Sequence, residues 1–334
     1  MRILKPSFIV LFASLLLGSA WVQAQAAPTA FVAWHPDGTM LAVGSGTQVE
    51  IIDVATGQVL NTITLTSLYE QRTEPVWSPD GEQLLIANDD QVEIWNSPWD
   101  VNVASQLTVL ELFDPSVPLN QRVGARNLGW KPDGTEVAAT YGEQITVWKL
   151  TSPVPTMLWD SWGFIRDLKW ESPGTITIST GNNFATNVDA TTGEIINGFY
   201  LETITAADGM PAIAFSPDQQ ELAIGRGNGD IIIWPDVQTP GPYNNYRRAE
   251  FLGHRVHVRA LSWNATGEYI ASGSDDGRVL IWDAATGDVL EVIVVGAGAS
   301  VVSVAWSPDG TQLAYGTVDG YALINAPSRE TDSD

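Results

Sequence analysis

The 334-residue chain contains no cysteine, only 3 histidines, and 16 Lys+Arg against 39 Asp+Glu, a formal charge of −23. Without cysteine there is no disulfide, no thiolate metal ligand and no thiol nucleophile. With histidine restricted to His35, His254 and His257, no paired-His zinc motif exists. The excess of acid opposes attraction to nucleic acid or to an anionic membrane, and favours a soluble monomer. Long apolar runs are absent except from Phe8 to Leu17, which falls short of the roughly 20 residues that span a bilayer.

That run follows Arg2 and Lys5 and precedes small residues around Ala24 and Ala26, the layout of a secretory signal peptide. Residues 1–24 are therefore expected to be removed, leaving an exported, periplasmic or secreted chain with no membrane contact. Retention as an N-terminal anchor is the alternative reading.

What is abundant is repetition. An apolar run, an aromatic ring and a turn recur as Trp34-His-Pro-Asp-Gly38, Trp77-Ser-Pro-Asp-Gly81, Trp130-Lys-Pro-Asp-Gly134, Trp170-Glu-Ser-Pro-Gly174, Phe215-Ser-Pro-Asp-Gln219, Trp263-Asn-Ala-Thr-Gly267 and Trp306-Ser-Pro-Asp-Gly310. The rings stand 40 to 53 residues apart, the length of a four-stranded propeller blade. The chain reads as all-β, a seven-bladed β-propeller over residues 28–325, with a disordered acidic tail over 326–334.

The first repeat parses into four strands: Ala30–Trp34, Met40–Gly44, Gln48–Asp53 and Gln58–Leu65. Pro presets φ in each turn and Gly accepts the left-handed conformation that follows it. Third strands such as Val92-Glu-Ile-Trp-Asn96 and Ile231-Ile-Ile-Trp-Pro235 are apolar on both faces, as blades packed face to face require. The seventh repeat stops after Tyr321–Asn325. A three-stranded final blade is predicted; a reading frame shortened at its end and a retained N-terminus reaching across are the competing explanations.

The sixth repeat runs from Gly253-His254 through Ile270-Ala-Ser-Gly-Ser274 and Asp275-Asp276-Gly277 to Trp282-Asp283. It closely resembles a WD40 repeat. The resemblance implies a buried tetrad of His254, Ser272, Asp276 and Trp282. These residues also supply the chemical types of a hydrolytic triad, but they map to a blade interior, where no pocket or oxyanion hole is expected. Elsewhere Asn228 replaces the turn Asp, Asn325 replaces the Trp, and no second Gly-His occurs.

On a propeller the Pro-Asp-Gly and Thr-Gly turns share one face, which Asp37, Asp80, Asp133, Asp218 and Asp309 make acidic. The loops entering each first strand share the opposite face. Arg126, Arg166 and Arg259 each stand four residues before their ring, so identical register is expected to bring three guanidiniums to one central mouth. In WD40 proteins that position and the one two residues earlier contact partners, and the earlier position adds Gln71, Gly124, Phe164, His257 and Ser300.

Arginine offers bidentate hydrogen bonding to carboxylates. Gln71, Arg126, Phe164, Arg166, His257 and Arg259 are therefore the candidate binding residues, for a protein partner, an anionic peptide or a glycan. The competing structural reading pairs the arginines with Asp167 and Glu74. Trp99, Trp159 and Trp162, outside the ring positions, either stack on ligands or cover blade edges.

No catalytic residue, metal site or cofactor is expected, and the chain reads as a non-enzymatic scaffold. A lactonase-like or quinoprotein-like propeller enzyme and a TolB-type interaction propeller are the alternatives.

Overall fold

The computed structural model describes residues 21–23, 29–66, 73–89, 91–111, 124–152, 154–161, 163–181, 184–200, 212–235, 249–296 and 299–327. The N-terminal apolar run and the tail beyond residue 327 lie outside them. The described residues form 28 strands and no helix, arranged in seven antiparallel four-stranded sheets. The first blade comprises β2 (Ala30–Trp34), β3 (Met40–Ser45), β4 (Gln48–Asp53) and β5 (Val59–Thr64), each end within one residue of the sequence reading.

Apolar packing explains the closed ring. The buried side chains fall into seven clusters, and each occupies one seam between neighbouring blades. Alternate residues of one strand serve different seams: Leu41 faces the seventh blade while Ala42 faces the second. This is why several strands are apolar on both faces.

The repeated ring residue has a second role that its hydrophobicity does not reveal. The indole N–H of Trp77 donates to the carbonyl of Ala33 in the preceding blade at 3.2 Å, that of Trp130 to Val76 at 3.0 Å, and that of Trp263 to Ala214 at 3.1 Å. The acceptor in each case is the residue just before the previous ring. Trp170 and Trp306 occupy the same register, yet their indole nitrogens have no acceptor among the described residues, and the fifth ring is Phe215.

The seventh repeat contributes three strands of its own, β26 (Val301–Trp306), β27 (Gln312–Thr317) and β28 (Gly320–Asn325), as its sequence implies. The fourth, outer place in that sheet is taken by β1 (Trp21–Gln23), antiparallel to β28 with Val22 opposite Ala322. The completed blade therefore has four strands, one of them drawn from within the segment that sequence reading assigns to a signal peptide.

Candidate functional site

Each first strand runs from the arginine-bearing loops towards a Pro-Asp-Gly type turn, so the loop-side ends of all seven converge. There they surround a cavity of about 580 Å³. Its lining includes Arg126, Arg166 and Arg259, together with Lys169, Glu74, Asp167 and Asp275. Four cations against three carboxylates make this mouth locally positive in a chain that is otherwise strongly acidic.

The backbone explains how the arginines reach it. Pairing of the first and second strands shifts register between Ile165 and Asp167 in the fourth blade, and between Val258 and Ala260 in the sixth. The residue passed over is Arg166 in one and Arg259 in the other. In the third blade the shift falls between Arg126 and Gly129, with Asn127 at φ 46°. A bulge inserts an unpaired residue and re-aims its side chain.

The three guanidiniums differ in what they hold. Arg259 donates through Nε to both oxygens of Asp275 at 2.9 Å and through Nη2 to Oδ2 at 2.6 Å. Ser300 Oγ donates to the same carboxylate at 2.5 Å, and His257 Nδ1 lies 3.6 Å from it. Burial acts to raise the Asp275 carboxyl, but the Arg259 and Ser300 hydrogen bonds outweigh it and hold it below 3.8. Arg259 is thus a fixed part of the rim, held by Asp275 and not by the Asp167 or Glu74 named in the structural reading.

Arg166 is half-buried with its guanidinium carbon 5.9 Å from the centre of the exposed Phe164 ring, a cation–π approach. Gly181 leaves it room, since a Cβ there would stand 3.2 Å from Arg166 Nε. Arg126 is exposed, and no hydrogen bond or ion pair holds its guanidinium among the described residues. Asp167 accepts from Lys169 Nζ at 3.0 Å and from the backbone N–H of Ile213 at 3.0 Å, tying the fourth blade to the fifth.

Of the remaining expected contacts, His257 and Phe164 stand at this rim, while Gln71 lies outside the described residues. Trp99 packs on Trp77 and His35, with ring centres 6.1 and 5.9 Å away. Trp159 packs against the seam between the third and fourth blades. Both cover blade edges, and Trp162 lies outside the described residues. Asp275 and Asn127 also line this cavity, and the sequence pattern does not mark either of them.

The four residues singled out in the sixth blade form a chain of hydrogen bonds. Trp282 Nε1 donates to Ser272 Oγ at 2.8 Å, and Ser272 Oγ lies 2.7 Å from His254 Nε2. His254 Nδ1 lies 3.1 Å from Asp276 Oδ2. With the indole donating into Ser272, the hydroxyl donates to Nε2, and the remaining imidazole proton sits on Nδ1 facing Asp276. Burial lowers the His254 pKa below 6.5, against the pull of Asp276, in keeping with that neutral form.

Asp276 also accepts from the Arg255 and Arg278 backbone N–H groups and from the Arg278 guanidinium. Ser272 is completely buried, so no substrate carbonyl meets its hydroxyl. Gly253 completes the fit: a Cβ there would stand 2.6 Å from the Trp282 ring. A related arrangement in the second blade, unmarked in the sequence pattern, has the buried Glu93 accepting from Asn88 Nδ2 at 2.5 Å and Trp95 Nε1 at 2.8 Å. Among the described residues no group of three or more His, Asp or Glu side chains is placed to hold a metal ion.

With seven blades and this hydrogen-bonded set in view, the family comparison is specific. Residues 246–283 and 290–324 match the family described as WD domain, G-beta repeat. The sixth and seventh blades of this seven-bladed β-propeller thus match WD40 repeats.

Among curated proteins it is similar to a ribosome biogenesis protein BOP1 homolog of Oryza sativa subsp. japonica, 39% identical over 101 residues, covering 30% of this chain and 15% of that protein. It is also similar to THO complex subunit 3 of Arabidopsis thaliana, 28% identical over 196 residues, covering 57% of each chain. A third is a chromatin assembly factor 1 subunit FAS2 homolog of Oryza sativa subsp. japonica, 33% identical over 114 residues, covering 34% of this chain and 22% of that protein. The chain thus spans less than two thirds of the length of each of these three relatives. Names drawn from ribosome biogenesis, a THO complex and chromatin assembly point away from export, and the expected periplasmic or secreted location is corrected on that finding.

Proposed function

We propose that this propeller is a non-enzymatic, protein-binding scaffold whose loop-side mouth takes a carboxylate-bearing segment of a partner protein. One observation carries the reading: Arg126, Arg166 and Arg259 meet at a single cavity, in a chain whose net charge is −23. Arg259 fixes the rim through Asp275. Arg126 and the Arg166–Phe164 pair are the groups that grip, one by charge-assisted hydrogen bonds and the other by charge together with an exposed ring. Two of the similar proteins are named as subunits of assemblies, which supports a role in holding a partner.

The test uses a labelled oligo-glutamate peptide as probe, with oligo-lysine as control. Arg126→Ala is expected to weaken glutamate binding about fivefold or more while leaving the melting temperature unchanged. The triple variant Arg126→Ala, Arg166→Ala, Arg259→Ala is expected to abolish it. Glutamate binding that survives the triple variant, or equal binding of the two peptides to the unaltered protein, overturns the proposal.

A further inference from the structure

At the opposite end of the first strands, a second cavity of about 260 Å³ opens between the turns of the fifth, sixth and seventh blades. Its walls are the rings of Phe215, Trp263 and Trp306, with Pro217 and Pro308 at the lip and Ala265 exposed beside them. The volume is below the roughly 300–1,000 Å³ typical of pockets for small molecules. It suits one large apolar side chain presented by a longer segment.

Charge defines what that segment carries. The turns of these three blades on this face hold Asp218, Glu221, Glu268, Asp283, Asp288 and Asp309, and the stretches 215–222, 263–269, 283–289 and 306–312 contain no Lys or Arg. The turn carboxylates are fixed in place: Asp218 Oδ1 accepts from Ser216 Oγ at 2.6 Å and Asp309 Oδ1 from Ser307 Oγ at 2.5 Å. The third blade differs, because Lys131 there lies 3.2 Å from Asp133 and 3.3 Å from Glu136. An aromatic, proline-lipped hollow is thus set in an acid-rich part of this face whose described turns carry no Lys or Arg; the fifth blade's connection over 236–248, which contains Arg247 and Arg248, lies outside the described residues.

We infer that this hollow is a second docking site, for a basic peptide segment that seats one aliphatic side chain between Phe215, Trp263 and Trp306 and places Lys or Arg against Asp218 and Asp309. It shares no lining residue with the arginine cavity, it opens four residues along the strand from Arg259, at Trp263, and it takes the opposite charge. Buried rings supply most of the attraction and the carboxylates supply selectivity and speed of encounter.

The experiment measures binding of a labelled Lys-Arg-Leu-Lys-Arg peptide by fluorescence anisotropy, beside Glu-Glu-Leu-Glu-Glu and Lys-Arg-Gly-Lys-Arg. The full chain is expected to bind the first most tightly. Ala265→Trp, which fills the hollow from an exposed turn, is expected to weaken it about tenfold or more. The pair Asp218→Asn, Asp309→Asn is expected to weaken it and flatten its salt dependence, while Arg126→Ala leaves it unchanged. No binding of the leucine-bearing basic peptide, equal binding of the acidic or glycine-bearing peptide, or indifference to Ala265→Trp in a variant of unchanged melting temperature overturns the proposal. Self-association of the full chain that Ala265→Trp abolishes, with no peptide binding, assigns the hollow to a second copy and likewise overturns it.

Discussion

The indole of Trp34 donates its N–H to the carbonyl of Ala305 at 2.9 Å, across 271 residues of chain. That bond joins the first blade to the seventh and repeats at the ring-closing seam what Trp77, Trp130 and Trp263 do elsewhere. The ring residue therefore combines apolar burial with a directional link to the preceding blade.

This separates tryptophans that look identical in sequence. Trp34→Phe keeps most of the buried ring but strands the Ala305 carbonyl, with an expected loss of about 1 kcal/mol or somewhat more. Trp170→Phe is expected to cost distinctly less, because its indole nitrogen has no acceptor among the described residues. Denaturant unfolding of both variants checks the ordering, and equal losses would refute the role given to the bond.

Ser272 stands between a donor, the Trp282 indole, and an acceptor, His254 Nε2, within the sixth blade. Ser272→Ala removes the acceptor of the Trp282 indole and the donor to His254 at one stroke, leaving both buried without partners. The expected loss is about 1–3 kcal/mol. Ser272→Thr, which keeps the hydroxyl, is expected to retain more stability if its added methyl fits, and thermal unfolding of the two variants compares them.

Acid sensitivity follows from the same blade. Burial depresses the folded-state pKa of His254 below 6.5, so below that pH the unfolded chain takes up a proton that the folded chain resists. Stability from this group is fully present above about pH 6.5 and declines as pH falls through the window beneath it. Asp275 and Asp276 add a second decline below 3.8, where their depressed carboxyls bind protons more readily unfolded than folded. Melting temperature measured from pH 8 to pH 3 should fall in these two stages, and His254→Asn should remove the slope of the upper one.

The strand Trp21–Gln23 gives a prediction of its own. Deleting residues 1–23 exposes the outer edge of β28 and is expected to lower the melting temperature and raise the propensity to self-associate through that edge. Light scattering beside thermal unfolding tests this. A shortened chain that melts unchanged would mean that the three-residue pairing adds nothing to the closed ring.

Much of this architecture is legible in the residues. The spacing of the rings marks every blade, and the unbroken apolar run within Met40–Ser45 and the apolar-polar alternation that opens Gln48–Asp53 place strands to within a residue, because burial on both faces leaves a run and burial on one leaves a period of two. The sixth blade is legible because its Gly253-His254 opening and Trp282-Asp283 ending resemble a WD40 repeat, and that resemblance implies the four residues. The rim is legible only in part.

Register places Arg126, Arg166 and Arg259 together, but a bulge adds a single unpaired residue and leaves no compositional trace, so the different fates of the three guanidiniums do not show. Asp275 reads as a turn residue until its contact with Arg259 is seen. The outer strand of the last blade is hidden for another reason: Trp21-Val-Gln23 is three residues long and abuts an apolar run with the composition of a leader. The indole acceptors are backbone carbonyls, which look alike at every position.

The pairing of β1 with β28 also has a consequence in time. The strand that completes the last sheet is made before every other strand of the ring, and its partner is made after them all. Six blades can pair locally during synthesis, but this edge waits unpartnered until β28 has emerged. Sealing of the ring is thereby delayed to its last strand, and a chain halted before Gly320 is left with two open edges for other polypeptides, or chaperones, to find.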